Sequence, residues 1–584
     1  MASQTEGGDP TTAKDQAEPK VQFVTARPDS SQARSEIKSL IRAHASRASW
    51  AKIRQGKHSR QEGSSQIGSG RRPGVQQPRG ANTGLASRSN DEQDKDITHF
   101  GETGGPSGSR QVVRSRRPSI TRSYPAPNPL RTVAAGDIDP FTSYPSRLPK
   151  EIATPVIAQV NHYFNTMFLP DPDRLEASTY IRHWISWYMN NSVLFHALCY
   201  SQLARLSVTE ASGLNPVSQR AKWYCYSMVV VEVNRRFNNV STRCSDESIL
   251  AVLALAFHGV RSTPGSEQAP RSPSQGPLNS MQGLDLYSGR LDPVHMHVHG
   301  LAKMLAMRGG VDEIRAPGLA AMLSYGELIL ASRSLQRPAL RFVPIGESPE
   351  STLATVHRPG HPLAQLGTGF RTLYNVLPSE TAQELYVVVL QLSTYLLAVD
   401  DYIMGRPQAQ SVLILADQRN FVQHSLMSLY SSPRDETTSG DQIYPLRQAT
   451  WCAGVVYSLT SIFPIPRAGA LFAKLASRIK QHLIATTSSG DGGHHEGSKW
   501  REAASLMLWI TFMGLLASTA HPDSEAEKTW YISVLERLVH RMQILSWQRL
   551  KDQLLNFLWF PSTSDTDGQR LWREIHTSNP FRES

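Results

Sequence analysis

The sequence predicts an all-α fold, an array of packed helices that follows a disordered, basic N-terminal tail. Apolar residues recur with the 3.6-residue period of an amphipathic helix in many segments of roughly 14 to 29 residues. The chain shows neither the alternating pattern of β-hairpins nor a recurrent βαβ unit. Charged and large apolar residues are also divided unequally along the chain. These observations place a helical body over residues 137–584.

Residues 1–136 form the predicted tail. Residues 1–130 hold 21 of the 61 Lys and Arg but only 12 of the 50 Asp and Glu, so they carry +9 of the formal net charge of +11. Their Ser, Gly, Pro and Gln residues leave too little apolar surface to offset the entropy of folding. We expect a disordered segment with one short, marginal helix near 35–57, which has a thin apolar face.

Basic side chains in the tail are the candidate contacts for nucleic acid or for nuclear import. They are Arg42, Arg47, Lys52, Arg54, Lys57, Arg71, Arg72, Arg114, Arg116 and Arg117. Such clusters bind phosphates or import receptors, but a solvated run of charge has the same composition. The sequence leaves both interpretations open.

The body contains a series of apolar-periodic segments that predict helices. In chain order they cover 156–168, 184–206, 229–237, 249–257, 298–307, 319–335, 384–404, 410–430, 449–462, 468–487, 503–518 and 529–557. Ser245 is a suitable N-cap for the fourth, and Asp246 and Glu247 suit the positive end of its macrodipole. Residues 261–290, rich in Ser, Pro and Gly, predict a disordered, exposed loop.

The helix near the middle of the chain has one buried stripe and a clear end. Leu301, Met304 and Leu305 are spaced by three or one residues and share a face. Gly309 suits the left-handed conformation that closes a helix, and Arg308 faces the negative end of the macrodipole. These features alone predict a buried helix.

Several ordered motifs in residues 137–345 resemble the regulatory domain of fungal transcription-factor-like proteins. The central helix carries His299-Gly300-Leu301 and then Arg308-Gly309-Gly310. The other similar segments are Ile41–Ala45, Asp139-Pro140-Phe141, Tyr144-Pro145, His162-Tyr163-Phe164, Leu194–Leu198 and Val233–Arg236. Residues 350–584 resemble this family only in their helix pattern. The resemblance implies a helical regulatory domain without enzymatic activity.

Metal and cofactor chemistry has little support in the sequence. His295 and His299 share a helix face with a spacing that suits zinc, but no acidic or Cys partner is identifiable, and the resemblance puts them at a buried helix start. His494-His495-Glu496 lies in a Gly-rich loop, and Asp400-Asp401 is typical of a solvated helix end. The sequence lacks nucleophile-elbow, phosphate-loop, zinc-protease and dinucleotide motifs, so we predict neither an enzyme nor a cofactor.

Cysteine content and hydropathy indicate the cellular compartment in which we expect the protein. The four cysteines are far apart, and the N-terminus has no apolar signal segment, so we expect reduced thiols and no secretion. The longest apolar run, 505–518, is shorter than the ~20 residues that span a bilayer, so we expect no membrane association.

Fungal regulators with this domain usually carry an N-terminal binuclear zinc cluster built from six cysteines. No cysteine precedes Cys199. We therefore expect a nuclear regulator that acts through its helical body and through a transcription-factor or coregulator partner, with weak non-specific DNA binding by the tail. A homodimer is compatible with this interpretation. The alternative is a cytoplasmic helical protein that binds a small molecule or scaffolds a partner.

We predict that the purified chain binds duplex DNA weakly, with little sequence preference and a steep loss of affinity as salt rises. Counterion release supplies nearly all of such binding, and phosphate contacts carry no sequence code. A titration of random and genomic duplexes at low and physiological salt measures it, with a version that starts at Asp137 as the control. A salt-resistant, nanomolar preference for one sequence that survives loss of the tail would contradict the prediction.

Overall fold

The computed structural model describes residues 144–168, 183–210, 213–260, 273, 276–430, 444–465, 468–488 and 503–577. Helices dominate these ranges, which confirms the all-α fold class. The predicted tail, its helix near 35–57 and the Gly-rich segment at 494–496 lie outside the described residues.

The N-terminal half of the body contains helices α1 to α7. Their bounds are α1 Lys150–Phe168, α2 183–189, α3 Ser192–Thr209, α4 Pro216–Phe237, α5 Asp246–Phe257, α6 His295–Arg308 and α7 Leu319–Ser334. Leu194, Phe195, Val229, Leu255 and Met304 are among the side chains of their shared core, and each is at most 1% exposed. We call this the N-terminal core.

The C-terminal half contains helices α8 to α17. Their bounds are α8 Pro349–Ala354, α9 Leu373–Val376, α10 Ser379–Ile403, α11 Val412–Ser428, α12 Tyr444–Tyr457, α13 Gly469–Ser488, α14 Ala504–Ser518, α15 Glu525–Arg541, α16 Trp547–Leu555 and α17 Pro561–Thr577. The core that these helices share contains the buried side chains of Trp451, Trp509 and Trp559. We call this the C-terminal core. Burial is expected of such large aromatic side chains.

Helix α7 belongs to both cores. Leu319 and Leu323, in its first half, pack into the N-terminal core. Tyr325, Leu328 and Ile329 pack into the C-terminal core. A helix that is apolar around most of its circumference must be buried on several sides, and α7 satisfies this requirement by lying between the two cores.

The segment 276–290 corrects the predicted exposed loop. Residues 261–272 and 274–275 lie outside the described residues, but Met281, Leu284 and Leu286 are each at most 8% exposed. A two-residue antiparallel pairing follows, in which β1 (Gly259–Val260) pairs with β2 (Leu291–Asp292). The prediction weighted the Ser and Pro content of the insertion, whereas its few large apolar side chains determine how this part packs.

Other boundaries differ from the sequence prediction for local reasons. The segment 529–557 forms two helices, because Gln543 takes a left-handed conformation with φ of 53° and Ser546 caps a new helix start. Asn190 and Asn191 likewise separate α2 from α3 within 184–206. Helix α17 was not predicted, since its first turn, Pro561-Ser-Thr-Ser-Asp565, contains no large apolar residue.

Helix α6 matches its prediction closely. Leu301, Met304 and Leu305 are buried, and Gly309 ends the helix with a φ of 102°. The Gly310 N–H donates to the Leu305 carbonyl at 2.9 Å, which is the pairing expected of a glycine-closed helix end. Ser245 also caps α5 as predicted, by accepting from the Ser248 N–H.

Helix α10 is long and apolar enough to cross a membrane by length and composition alone. Of its most apolar 18-residue stretch, 61% is buried inside the protein. Leu392, Leu396 and Leu397 on this helix are at most 1% exposed and belong to the C-terminal core. A core helix of a folded body has these same properties.

We predict that Leu301→Asp abolishes cooperative thermal unfolding or makes the chain insoluble. Leu301 is 6% exposed, and an unpaired carboxylate in the N-terminal core costs several kcal/mol, comparable to the ~5–15 kcal/mol margin of a domain. Calorimetry measures this effect. Met296→Asp is the matched control, because Met296 is 48% exposed on the same helix and should tolerate the carboxylate. If both variants melt like the parent, α6 is not a core helix.

Candidate ligand-binding cavity

A cavity opens in the N-terminal half between α1, α3, α5 and α7, beside the segment 276–290. Its volume is about 80 Å³, and its mouth opens to solvent. Most of the wall is apolar. The apolar side chains include Val160, Leu198, Leu253, Phe257, Met322 and Ile329.

Close packing of α5 against α7 forms one wall. A Cβ atom added to Gly326 would lie 2.9 Å from Cζ of Phe257, so a side chain at this position would displace the phenyl ring. Glycine at this position therefore lets the tip of the Phe257 ring approach α7 closely at the cavity wall.

Arg205, on α3, is the cation of the cavity wall. Its guanidinium carbon lies 3.6 Å from the centre of the Tyr163 ring, a cation–π contact. The Nε and Nη1 atoms are buried and have no hydrogen-bond acceptor. Arg205 also forms no ion pair with a carboxylate of the described residues. Buried donors without acceptors are uncommon, so these two N–H groups require an explanation.

A hydrogen-bonded row of side chains lies beside Arg205. The hydroxyl oxygens of Tyr163 and Tyr287 are 3.1 Å apart, and the Tyr287 hydroxyl is 3.1 Å from Nε2 of His258. Nδ1 of His258 is 2.9 Å from the Ala254 carbonyl oxygen, which can only accept. Nδ1 therefore carries the proton, so Nε2 of the neutral ring accepts from Tyr287, and Tyr163 donates to Tyr287.

Burial sets the charge states of this row. It lowers the pKa of His258 to about 4, against an upward contribution from the Ala254 carbonyl, and the nearby Arg205 charge lowers this pKa further. Burial also raises the pKa of Tyr163 well above its usual range and raises the pKa of Tyr287. All three side chains are neutral at pH 7, which leaves Arg205 as the charged group of the row.

The other polar side chains of the wall have partners. Ser201 donates to the Ala197 carbonyl at 2.9 Å, and Gln202 donates to Gln159 at 3.2 Å. The arrangement therefore suits binding: an apolar wall to take a hydrophobic body, and one cationic group to orient a polar end.

The cavity is connected to the C-terminal core through Tyr325. This side chain lines the cavity, and its hydroxyl donates to the Gln282 carbonyl at 3.4 Å. The guanidinium of Arg419, on α11, lies 5.7 Å from the centre of its ring. The Tyr325 side chain thus lines the cavity and also packs into the C-terminal core.

The two resemblance motifs of the central helix, His299-Gly300-Leu301 and Arg308-Gly309-Gly310, lie on α6 or directly after it and do not line the cavity. Gly300 and Leu301 are buried, whereas His299 is exposed. Arg308 forms an ion pair with Asp246 at 3.0 Å and donates to the carbonyls of Cys244 and Glu313. Gly309 and Gly310 both have positive φ. The contacts of Arg308 thus connect the end of α6 to the start of α5.

The histidines of α6 are placed differently from the prediction. His297 is 1% exposed, and burial lowers its pKa to about 4, but His295 and His299 are exposed. The prediction that His295 and His299 lie at a buried helix start is therefore wrong. No group of three or more His, Cys, Asp or Glu side chains in the described part of the chain is arranged to hold a metal ion.

Asp400 and Asp401 correct the expectation of a solvated helix end. The Asp401 side chain is 4% exposed, and Arg406 contacts both carboxylates, at 2.7 and 2.8 Å. His361 lies 3.3 Å from Asp401 and is itself buried. The acidic pair therefore anchors the end of α10. The four cysteines are free thiols, and three of them are buried.

The ten basic residues proposed as nucleic-acid or import contacts lie in residues 1–143, outside the described residues, so they remain predictions. Sequence analysis missed Arg205, Tyr287 and His258. One signal was present: Arg205 interrupts the apolar run Leu203-Ala204-Arg205-Leu206, where a charge needs a partner.

We predict that Tyr287→Phe lowers the free energy of unfolding by about 1–3 kcal/mol, because it removes the hydroxyl that donates to Nε2 of His258 and accepts from Tyr163. Urea denaturation monitored by circular dichroism measures the change. Tyr224→Phe, at a half-buried site whose hydroxyl forms no hydrogen bond with a described residue, is the control and should stay within about 0.5 kcal/mol of the parent. Equal effects of both substitutions would contradict the proposed row.

The chain matches no family model, no curated protein and no solved structure. The resemblance to the fungal regulators therefore stays a prediction from the short motifs described above.

Proposed function

We propose that this chain is a nuclear transcription regulator of the fungal type, which acts through its helical body and binds a small-molecule effector there. The observation that carries this proposal is that two of the resemblance motifs contribute to the cavity wall. Tyr163 belongs to the His-Tyr-Phe segment, and Leu198 ends the Leu-Phe-His-Ala-Leu segment.

The packing of the remaining motifs is consistent with a common structural unit. Nε2 of His196 lies 2.8 Å from the Ser146 hydroxyl oxygen. This hydrogen bond attaches the Leu-Phe-His-Ala-Leu helix to the first described residues of the body. Arg236 donates to Ser245 and Ser248, which connects the end of α4 to the start of α5. Asp246 pairs with Arg308 at the end of the central helix. Three motifs that are distant in sequence thus border the N-terminal core.

A partner protein supplies base recognition under this proposal. Residues 1–198 contain no cysteine, so this segment cannot form a binuclear zinc cluster. The basic tail adds non-specific attraction to phosphates, and the helical body recruits a transcription factor or coregulator that reads the sequence.

A second candidate function is a cytoplasmic binding protein for a small molecule. The cavity favours it, since an apolar cavity with one cationic group is sufficient for ligand binding without any contact to chromatin. Cellular location and chromatin occupancy distinguish the two candidates.

We predict that the tagged full-length chain accumulates in the nucleus of a fungal host cell and occupies discrete chromatin sites. Replacement of Arg114, Arg116 and Arg117 by Ala should shift it toward the cytoplasm, because import receptors recognise such clusters. Replacement of Arg537, Arg541 and Arg549 by Ala is the control, with the same loss of charge at exposed positions of the body. Fluorescence microscopy and a chromatin-occupancy map measure the outcome.

A cytoplasmic parent chain without occupied chromatin sites would contradict the nuclear function and favour the second candidate. Nuclear location without discrete occupancy would contradict recruitment by a base-reading partner.

A further inference from the structure

We infer that the cavity binds a monocarboxylate with an unbranched apolar tail, whose carboxylate lies against Arg205. This inference rests on the proposed function only in taking the cavity as the ligand site. It names the chemical class of the ligand and the residue that selects it.

The argument begins with the charge of Arg205. Arginine keeps its positive charge at all physiological pH values, and Arg205 is half-buried, with its Nε and Nη1 atoms shielded from solvent. The ring of Tyr163 at 3.6 Å compensates part of this charge, but no described carboxylate pairs with Arg205. A ligand that brings one negative charge would complete the site.

The hydrogen-bond donors lead to the same class of ligand. Nε–H and Nη1–H of Arg205 have no acceptor, whereas the hydroxyl protons of Tyr163 and Tyr287 and the Nδ1 proton of His258 are already donated within the row. The open positions are therefore donors on a cation. A carboxylate oxygen is an acceptor that forms a strong, charge-assisted hydrogen bond with such a group.

The surroundings of Arg205 favour one negative charge over two. Arg205 is the only Lys or Arg among the described residues that line the cavity. Arg290 is exposed and donates to the Val208 carbonyl at 3.1 Å, and His258 is neutral. The Asp285 carboxylate, whose pKa burial raises, is close enough for Arg205 to affect its titration. A phosphate dianion would find one cation and a nearby acidic group.

The remaining wall determines the tail. Leu198, Leu253, Phe257, Met322 and Ile329 present aliphatic and aromatic carbon to the cavity. The cavity volume of about 80 Å³ is several times the roughly 10–15 Å³ that one water molecule needs, so the cavity has room for a slender apolar group. A flexible hydrocarbon chain fills such a space without needing further polar partners.

Calorimetric titration of the full-length chain with octanoate, below its micellar concentration, tests this inference. The neutral probe is 1-octanol, and the dianionic probe is octyl phosphate. We expect octanoate to bind most tightly, and its affinity to rise roughly fourfold per added methylene from hexanoate until the cavity is full. Arg205→Met should weaken octanoate on the order of tenfold or more, since a charge-assisted hydrogen bond is lost, and should leave octanol unchanged.

Three further variants distinguish the specific loss of the Arg205 contact from a general loss of the folded structure. Arg290→Met makes the same change of charge nearby and should bind octanoate like the parent. Arg205→Lys retains the charge and should recover part of the affinity. Ala254→Leu fills the cavity from α5 without removing a charge, and it should weaken octanoate and octanol alike.

Equal binding of octanoate and octanol, or octanoate binding that Arg205→Met leaves unchanged, would overturn the assignment of the carboxylate to Arg205. Tighter binding of octyl phosphate would overturn the monocarboxylate class. Failure of all three probes to bind would overturn the inference as a whole. None of these results depends on cellular location or chromatin occupancy, so the nuclear function is judged separately.

Discussion

The fully buried guanidinium of Arg419 is the constraint on which the arrangement of the described helices depends. It donates to the Met281 carbonyl at 2.9 Å and to side-chain oxygens of Gln282 and Asn420 at 2.9 and 3.0 Å. These acceptors are neutral, and the faces of Tyr325 and Phe463 and the nearby Asp417 carboxylate also stabilise the charge. A buried cation without its hydrogen bonds costs several kcal/mol, which makes any displacement of its acceptors unfavourable. Arg419 thereby attaches the segment 276–290 to α11.

This attachment also shapes the cavity. Gln282, with a φ of 55°, adopts a conformation that is unfavourable for a residue with a side chain, and its hydrogen bonds with Arg419 and Asn420 hold it there. Tyr287 follows five residues later and completes the hydrogen-bonded row with Tyr163 and His258. A ligand in the cavity would contact Tyr287 and Tyr325, and both belong to structure that Arg419 holds in place. The cavity and the C-terminal core are therefore parts of one packed arrangement, although the cavity walls come largely from the N-terminal half.

The helices that sequence analysis predicted well are those with one apolar stripe or a clear end signal. Helix α6 was predicted because Leu301, Met304 and Leu305 recur on one face and Gly309 can take positive φ. Helix α11 was also predicted, over 410–430, but the sequence pattern does not show which of its residues are buried. Asp417, Gln418, Arg419 and Asn420 are four consecutive polar residues, a pattern that indicates a solvent-exposed turn, yet each is at most 3% exposed. Burial raises the pKa of Asp417 to about 6, although the backbone N–H groups of residues 345 and 346 donate to its carboxylate and favour its charged form. Their partners come from distant segments, and local sequence carries no information about them.

Local sequence likewise carried little information about the residues that meet at the cavity, with Arg205 as the exception. Tyr163, Arg205, His258 and Tyr287 span more than a hundred residues and meet only because α1, α3 and α5 pack around the segment 276–290. The sequence predicted most of these helices, but it treated residues 276–290 as an exposed loop, and so it removed Tyr287 from consideration. Arg205 was visible as a charge within an apolar helix, and the usual expectation for such a residue is a carboxylate partner. The described residues offer it a tyrosine ring and leave two buried donors without acceptors. A helix that needed only stability would be better served by a neutral side chain at this position, and this is why Arg205 points to a ligand.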